Sequence, residues 1–350
     1  MNESYPYIRV EGNHYEMGLQ HGTACAEKIN KFLNYAIEIF CSGQNQTKDQ
    51  VMANALHYLP VLDQNCPHLV EELNGVAQGS RLSLSEILFL HVRTELSYYK
   101  KSGCSAFAVS PERSRNGILL SGQNWDNPPY SKNFMIVLHL KPKNKPSVLL
   151  LTFAGVIGYI GINSYGISIW DNQLMCPGWK IGIPHYFVKR LVLEQRTLSE
   201  SIHVLKKLEH ASSENFVMTD GSGKITSMEC TPHGVEEIKP MHGVVFHTNH
   251  FLSERFIPLE KFIPTIPDTC NRLDRLDFLF KKFSNNLSVE ILKTILSDHD
   301  NFPTSLCRHV DHTPQSMITC ASVIAEPAQG VMYVSPGNPC VSSYERYEMS

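Results

Sequence analysis

Residues 101–110 read Lys-Ser-Gly-Cys-Ser-Ala-Phe-Ala-Val-Ser, and the hydrophobic pattern changes its period at this stretch. Upstream, Ile29, Leu33 and Phe40 share one helix face, and Ser83 with Glu86 forms a capping-box pattern. Downstream, residues 105–110 alternate, and Asn116-Gly117 is a strong hairpin signal. We therefore expect a mainly helical first hundred residues, followed by a part rich in strands.

More hairpin patterns follow this junction, and their short connections indicate antiparallel pairing. The paired segments are 148–153 with 157–162, 157–162 with 167–170 across Asn163–Gly166, 216–219 with 225–229, and 322–325 with 331–334. Helical periods interrupt them at residues 186–195, 197–208, 273–283 and 289–296. Strand runs combined with helix runs predict an α+β fold in which helices cover the sheets.

The composition excludes several classes of protein. The 350 residues are 42% hydrophobic and 19% charged, which argues against disorder, and the net charge of −3 argues against a nucleic-acid partner. No apolar run is long enough for a membrane span, and residues 1–7 do not read as a secretory signal. None of the ten cysteines forms a Cys-x-x-Cys signature, so we expect no metal, mostly buried free thiols and a cytoplasmic location.

Cys104 is the cysteine that suggests chemistry, because Gly103 precedes it and Ser105 follows it where helix gives way to strand. A thiol in that position can attack the preceding carbonyl, and water can then cleave the resulting thioester. The new α-amino group, with an ordinary pKa of about 7.7–8.0, can activate the thiol as a base. The alternative is a structural cysteine at the start of a strand.

Six motifs in order give the chain a resemblance to a known family. It resembles the acyl-coenzyme A:6-aminopenicillanic acid acyltransferase (isopenicillin N acyltransferase) family of the N-terminal nucleophile (Ntn) hydrolase superfamily over nearly its whole length. The motifs are residues 15–22, Arg93-Thr94-Glu95, Gly103-Cys104-Ser105 with residues 122–126, residues 154–166, His247-Thr248-Asn249-His250 and Ser305-Leu306-Cys307-Arg308.

The resemblance implies a four-layer αββα sandwich of two antiparallel sheets covered by helices. It implies autocleavage between Gly103 and Cys104 into a helical fragment, 1–103, and a catalytic fragment, 104–350, which stay associated as one domain. Cys104 would be the nucleophile, Asp126 would orient its α-amino group, and Asn249 would donate to the oxyanion. The structural alternatives are a surface aspartate at a strand end and a turn asparagine.

Four further residues are candidates for substrate binding. Arg93 and Glu95 precede the cleavage site, Asn124 shares a strand face with Asp126, and Arg308 can meet a substrate carboxylate, although a structural ion pair explains it equally well. His247 and His250 are three residues apart, but we expect no zinc there. Core packing is an equal explanation for the possible acyl-pocket residues Tyr130, Phe153 and Trp170, and Cys340 is interpreted as structural.

These expectations favour an enzyme that moves an acyl group from an amide or an acyl-coenzyme A thioester to an amine or water, without a cofactor. The resemblance also extends to β-alanyl-amine hydrolases, so water as the sole acceptor stays open. A non-catalytic binding module that keeps the fold is the alternative from another class. The expected partners are small molecules, with acyl-coenzyme A as a substrate only, and neither nucleic acid nor membrane.

Overall fold

The structure is a computed structural model of the 350-residue chain, and it describes residues 4–97, 103–284, 286–311, 313 and 316–349. The helices in these residues are α1 His14–Gln44, α2 Lys48–Leu56, α3 Leu59–Asn65, α4 Pro67–Ser80, α5 Leu84–Ser97, α6 His185–Leu193, α7 Leu198–Lys207, α8 Asp268–Lys282 and α9 Val289–Leu296. The strands are β1 Tyr7–Gly12, β2 Gly103–Val109, β3 Leu120–Asn127, β4 Met135–Pro142, β5 Val148–Phe153, β6 Ile160–Asn163, β7 Ser168–Gln173, β8 Glu214–Thr219, β9 Ile225–Thr231, β10 Gly234–Ile238, β11 Val244–His247, β12 Ile318–Glu326, β13 Val331–Pro336 and β14 Glu345–Glu348.

Two sheets form the centre of the fold. The larger has the strand order β1-β4-β5-β6-β7-β8-β9-β10, and the smaller has the order β11-β2-β3-β12-β13-β14. Strand β2 packs against β7 and β8 across the interface between the sheets, and the helices that contact the larger sheet include α1, α6 and α7. Helices α8 and α9 contact the smaller sheet. The predicted α+β class and αββα layering are therefore confirmed.

The prediction that all strands pair antiparallel is wrong at one place. Strand β1 pairs parallel with β4, from Tyr7 opposite Val137 to Gly12 opposite Pro142. The partners are about 130 positions apart, so no turn between them announces the pairing, and β1 lies in a stretch that the sequence indicated as helical. Because a parallel pair needs a long connection, the intervening helices can provide it.

Local signals mark many element boundaries correctly. Capping boxes begin α1 at Asn13 and α7 at Thr197, and Ser83 with Glu86 exchanges the same two hydrogen bonds before α5. Hydrophobic patterns in the sequence predict strands from residues 118 and 157 and a helix over 51–62. The strands begin later, at Leu120 and Ile160, and residues 51–62 belong to two helices, α2 and α3. The helical pattern that begins at Ser83 is predicted to end near residues 98–101, which lie outside the described residues.

Helices α1 and α4 approach each other so closely that only glycine fits between them. A Cβ on any of the four glycines at their crossing would lie 2.0–2.4 Å from a backbone oxygen of the facing helix. The four are Gly18, Gly22, Gly75 and Gly79. This close packing fixes the helical layer formed by the first part of the chain. None of the described helices combines enough length and hydrophobicity to cross a lipid bilayer.

A buried ion pair connects this helical layer to the rest of the fold. The guanidinium of Arg190 on α6 donates two hydrogen bonds to the carboxylate of Glu72 on α4, each 3.0 Å long, and both side chains are buried. His14 lies 2.7 Å from the same carboxylate. Residues on opposite sides of position 103 are thereby held together by charge as well as by apolar packing.

We expect Glu72→Gln to lower the free energy of unfolding by about 1.5–3 kcal/mol, because it removes the carboxylate that accepts two hydrogen bonds from the buried Arg190 and leaves Glu194, at 3.4 Å, as its buried counterion. Denaturant unfolding of wild type, this variant and Glu27→Gln checks the value. Glu27 pairs with Lys31 on the surface, so its variant serves as a control that should unfold like wild type. Equal stability of all three proteins would contradict the prediction.

The ion pair of Glu72 and Arg190 also makes the stability of the fold depend on pH, with less stability in acid. Burial opposes ionisation of Glu72, but Arg190 and His14 outweigh it, and the pKa of this carboxyl is lowered from its ordinary value of 4.5. Its stabilising contribution is therefore present above pH 4.5 and disappears as the pH falls through the lowered value.

Candidate active site

Cys104 is the second residue of β2, not the first residue of a strand as predicted, and its side chain is 1% exposed. Gly103 lies opposite Asp126 on β3, and Cys104 lies opposite Trp125. A Cβ at Gly103 would come within 3.1 Å of Asp126 Oδ2. The absence of a Cβ at Gly103 lets the carboxylate of Asp126 lie close to the backbone before Cys104, where a Cβ would force the carboxylate to move by a few tenths of an ångström.

Asn249 follows β11 and reaches the same point from a different part of the chain. Its Oδ1 accepts a hydrogen bond of 2.9 Å from the backbone nitrogen of Cys104, and its Nδ2 donates to the carbonyl of Gln173 at 3.1 Å. The side chain is fully buried, so Asn249 is not an exposed turn residue. An amide nitrogen carries two hydrogens, which leaves one free to donate to a further acceptor.

Arg272 on α8 is the central residue that the sequence analysis missed. Its guanidinium donates to the carbonyl oxygen of Cys104 at 2.7 Å, to Ser105 Oγ at 3.0 Å and to Asn249 Oδ1 at 3.0 Å. The side chain is only 1% exposed. In the sequence it stands among charged residues of an amphipathic helix, where an exposed position is the ordinary reading, so no local signal identifies it.

Asp126 is fully buried, and only one of its two carboxylate oxygens accepts a hydrogen bond from the described residues. Thr319 Oγ1 donates to its Oδ1 at 2.8 Å, whereas its Oδ2 has no hydrogen-bond partner among the described residues and lies 3.5 Å from Arg308 Nε. Burial raises the pKa of this carboxyl, although Arg308 and Arg272 oppose the rise. An acid of this kind, next to the peptide bond before Cys104, can hold or deliver a proton.

The thiol of Cys104 is in an environment that disfavours the thiolate. Burial is the largest cause, the carboxylates of Asp171 and Asp126 add to it, and the pKa of the thiol is raised well above its ordinary value. In the intact chain the thiol therefore keeps its proton at neutral pH. Any nucleophilic step needs a base close to the sulfur.

A narrow cavity with about 70 Å³ of free space lies beside these residues. Its walls are largely aromatic, and its polar lining includes Arg93, Asp171, Gln173, His185 and Glu214; the aromatic residues are Phe32, Tyr35, Trp125, Phe153, Tyr159 and Tyr186. Two lining residues, Asp171 and Tyr159, interact electrostatically with Cys104. The cavity is thus placed to hold the substrate of a reaction at this cysteine.

The predicted binding residues fall at different distances from this cavity. Arg93 lines it, with its guanidinium over the rings of Phe32, Phe153 and Tyr186 at 4.8–5.0 Å. Glu95 lies behind the wall, where its Oε1 accepts from the backbone of His185 and from Ser212, both at 2.9 Å.

Asn124 and Arg308 are occupied with the protein itself. Asn124 donates to the carbonyls of Leu296 and Leu306 at 2.8 Å each, and Arg308 contacts Asp126 and donates to Asp268. Of the three suggested acyl-pocket residues, only Phe153 lines this cavity. His247, one of the two histidines considered and set aside as a zinc pair, has its imidazole 2.9 Å from the carboxylate of Glu229.

The cavity floor carries buried polar groups that the sequence analysis also missed. Lys189 lies 2.5 Å from Asp171 Oδ2, whereas Asp171 Oδ1 and Glu214 Oε2 have no hydrogen-bond partner among the described residues. Burial, opposed by Lys189, raises the pKa of Glu214 well above its ordinary value, and burial together with Lys189 lowers the pKa of His185. The imidazole of His185 is therefore neutral at neutral pH, and Lys189 with Asp171 forms one buried ion pair.

Comparisons with known proteins place this site in context. Similar solved structures include a conjugated bile acid hydrolase from Clostridium perfringens (TM-score 0.47, 14% identity, 70% of this chain and 97% of that one) and penicillin V acylase from Agrobacterium tumefaciens (TM-score 0.48, 13% identity, 70% and 86%). Among sequences, beta-alanyl-dopamine/carcinine hydrolase of Drosophila melanogaster is 25% identical over 229 residues, 58% of each chain.

Two sequence findings cover more of the chain. The acyl-coenzyme A:6-aminopenicillanic-acid-acyltransferase 40 kDa form of Emericella nidulans is 27% identical over 307 residues, 86% of this chain and 84% of that protein. The family model of the acyl-coenzyme A:6-aminopenicillanic acid acyl-transferases matches residues 113–340, well over half of the sequence. The chain therefore belongs to the acyl-coenzyme A:6-aminopenicillanic acid acyl-transferase family.

Proposed function

We propose that this chain cleaves its own Gly103–Cys104 peptide bond and then uses Cys104 to move acyl groups from amides or thioesters to an amine or water. The observation that carries the proposal is the convergence on Cys104: Asn249 meets its backbone nitrogen at 2.9 Å, and Arg272 meets its carbonyl oxygen at 2.7 Å. A structural cysteine at a strand start requires no such set of buried polar partners. The chemistry uses side chains and the new amino group, with no cofactor.

The first step is the attack of Cys104 Sγ on the carbonyl carbon of Gly103. The carbon–nitrogen bond breaks, the amide nitrogen becomes the α-amino group of Cys104, and a thioester to Gly103 remains for water to hydrolyse. The thiol loses a proton and the leaving nitrogen gains one, and Asp126 is suited to pass it between them because its Oδ2 lies beside Gly103 and burial raises its pKa. The products are residues 1–103 and 104–350.

Turnover reuses the same groups after cleavage. The α-amino group accepts the proton of the buried thiol and thereby generates the thiolate that attacks the substrate. Asn249 Oδ1 holds that nitrogen in place, and the free amide hydrogen of Asn249 donates to the oxyanion. The α-ammonium group returns the proton to the departing amine or thiolate as the acyl-cysteine forms. The acceptor amine or water then attacks the acyl-cysteine, and its proton passes through the α-amino group to the released sulfur. Arg272 is a positioning residue, since it fixes both the Cys104 carbonyl and Asn249 Oδ1.

The two pieces must stay together for this reaction. Phe32, Tyr35 and Arg93 precede the cleaved bond, and they line the same cavity as Trp125 and Asp171, which follow it. The buried pair of Glu72 and Arg190 also joins the pieces. Association of the fragments is therefore part of the proposal, because either piece alone would lose one wall of the binding site.

The lining of the cavity favours a second candidate substrate, namely an acyl group that carries a basic amine. Asp171 Oδ1 and Glu214 Oε2 are buried there without hydrogen-bond partners among the described residues, and an ammonium group can donate to both. Aromatic rings around them add cation–π attraction. An aminoacyl amine fits this lining, which agrees with the substrate in the name of the Drosophila relative.

A matched pair of substrates tests the proposal. β-Alanyl-phenethylamine and butanoyl-phenethylamine differ only in an amino group that replaces a methyl group, and butanoyl-coenzyme A tests the thioester. We expect turnover of at least one donor, an acyl adduct by intact mass on the fragment that begins with Cys104, and faster reaction of the β-alanyl compound. Faster reaction of the butanoyl amide would reject the acidic subsite, and the absence of adduct and turnover with all three donors would reject acyl transfer.

A further inference from the structure

Four metal-ligating side chains meet at one point next to Arg308, on the part of the chain between α9 and β12 and in the turn after β13. They are His299, Cys307, His309 and Cys340. The ligand atoms, one from each residue, all lie within 4.8 Å of one another. None of these residues takes part in the proposed acyl transfer, and the search for Cys-x-x-Cys signatures could not reveal them because their spacing is irregular.

Four of the six distances among the ligand atoms match the edges of a tetrahedron around a single zinc ion, and the other two, from His299 to the sulfurs, are at most 4.8 Å. With Zn–S near 2.3 Å and Zn–N near 2.0–2.1 Å, a regular tetrahedron has edges of about 3.8 Å for S–S, about 3.6 Å for S–N and about 3.3 Å for N–N. The Sγ atoms of Cys307 and Cys340 are 3.6 Å apart, and His309 Nε2 lies 3.6 Å and 3.5 Å from them. His299 Nε2 is 3.1 Å from His309 Nε2.

A disulfide does not account for this geometry. The Sγ–Sγ distance of 3.6 Å is far longer than the 2.03–2.05 Å of a disulfide bond. A disulfide would also leave unexplained why two imidazole nitrogens converge on the same point. Both cysteines are free thiols in the structure.

Asn338 supplies the kind of second partner that metal-bound thiolates commonly have. Its Nδ2 lies 3.5 Å from Cys307 Sγ and donates to the carbonyl of Arg308 at 2.6 Å. Outer hydrogen bonds of this type orient ligands and stabilise the negative charge on sulfur. Cys307 is buried while His299 is exposed, so the site is anchored in the protein and reachable from solvent.

We propose that His299, Cys307, His309 and Cys340 bind one structural zinc ion. Two thiolates and two imidazoles are a ligand set typical of zinc, and four protein ligands leave no open position for catalysis. Binding displaces the two thiol protons and leaves a neutral site. The ion would join residues 299–309 to the turn at Cys340 and thereby fix the backbone of Arg308, whose side chain reaches Asp126 and Asp268.

Zinc content of the full-length protein tests this site without any assay of activity. The proteins are wild type, Cys340→Ser, His299→Ala and the control Cys41→Ser, which removes a cysteine of similar exposure on α1. After purification with zinc and dialysis, we expect about one zinc per chain in wild type and the control, and loss of most zinc in both ligand variants. Cobalt substituted into wild type should give the visible absorption of a tetrahedral site with thiolate ligands.

Chelation provides a second readout. A strong chelator should lower the melting temperature of wild type and Cys41→Ser but leave that of Cys340→Ser unchanged. His299 is exposed, so its variant is expected to fold and keeps the test valid if Cys340→Ser does not. Wild type without zinc, ligand variants with as much zinc as wild type, or a Cys307–Cys340 disulfide in protein isolated without oxygen would each overturn the proposal.

Discussion

Cys104→Ala is expected to remain a single uncleaved polypeptide with no measurable turnover. Alanine keeps the Cβ of a buried strand residue and removes only the sulfur, so the fold should persist while both proposed reactions lose their nucleophile. Wild type should instead appear on a denaturing gel as two bands that correspond to residues 1–103 and 104–350. Intact mass and peptide mapping across residues 103–104 provide the measurement.

Replacement of a second buried cysteine, Cys230, provides the matched control for this experiment. Cys230 on β9 is equally buried, at 1% exposure, and lies outside the cavity lining. Cys230→Ala should therefore cleave and turn over like wild type. Cleavage in Cys104→Ala, or an active wild-type sample in which the peptide across residues 103–104 is intact, would show that Cys104 does not have the proposed role.

Asn249→Asp should reduce turnover of the cleaved protein by on the order of 10²–10³. The aspartate keeps an oxygen that can accept from the nitrogen of Cys104 and from Arg272, but it has no amide hydrogen for the oxyanion. It also places a carboxylate oxygen near the carbonyl of Gln173, which now accepts from Nδ2 at 3.1 Å. The rate constant with the best substrate of the matched pair gives the measurement.

Asn249→Ala separates catalysis from folding in the same experiment. Alanine leaves the buried nitrogen of Cys104 without a partner and takes one acceptor from Arg272, which should cost about 1–3 kcal/mol of stability. We expect both variants to lose turnover and the alanine variant to lose stability of this size, as judged by melting temperature. Near-normal turnover in Asn249→Asp would assign the oxyanion donors to other groups.

Sequence reasoning predicted the α+β class and many element boundaries because these signals are local, whereas the four-layer arrangement was implied by the resemblance to the family. The hairpins at Asn163–Gly166 and Asp220–Gly223 and the capping boxes of α1 and α7 involve residues within a few positions of one another. The β1–β4 pair depends on contacts about 130 residues apart, and nothing local records them. The parallel strand was therefore missed for a physical reason.

The same distinction applies to the site. Cys104, Asp126 and Asn249 were identified through motif resemblance, and the structure brings Asp126 beside Gly103 and Asn249 to the Cys104 backbone. Arg272, Asp171 and Glu214 were missed because their importance arises from burial. A charged residue on an amphipathic helix or at a strand end looks exposed until the surrounding layers are known.

The division of the cavity walls has a consequence for how specificity can change. Helices α1 and α5 contribute Phe32, Tyr35 and Arg93 to the cavity, whereas every group assigned to bond breaking lies at or after Gly103. One wall of the cavity is thus encoded before position 103, whereas the proposed reactive groups and the rest of the lining, including Asp171 and Glu214, are encoded after it. Variation confined to residues 1–103 can therefore reshape that one wall of the cavity while the proposed reactive groups stay unchanged.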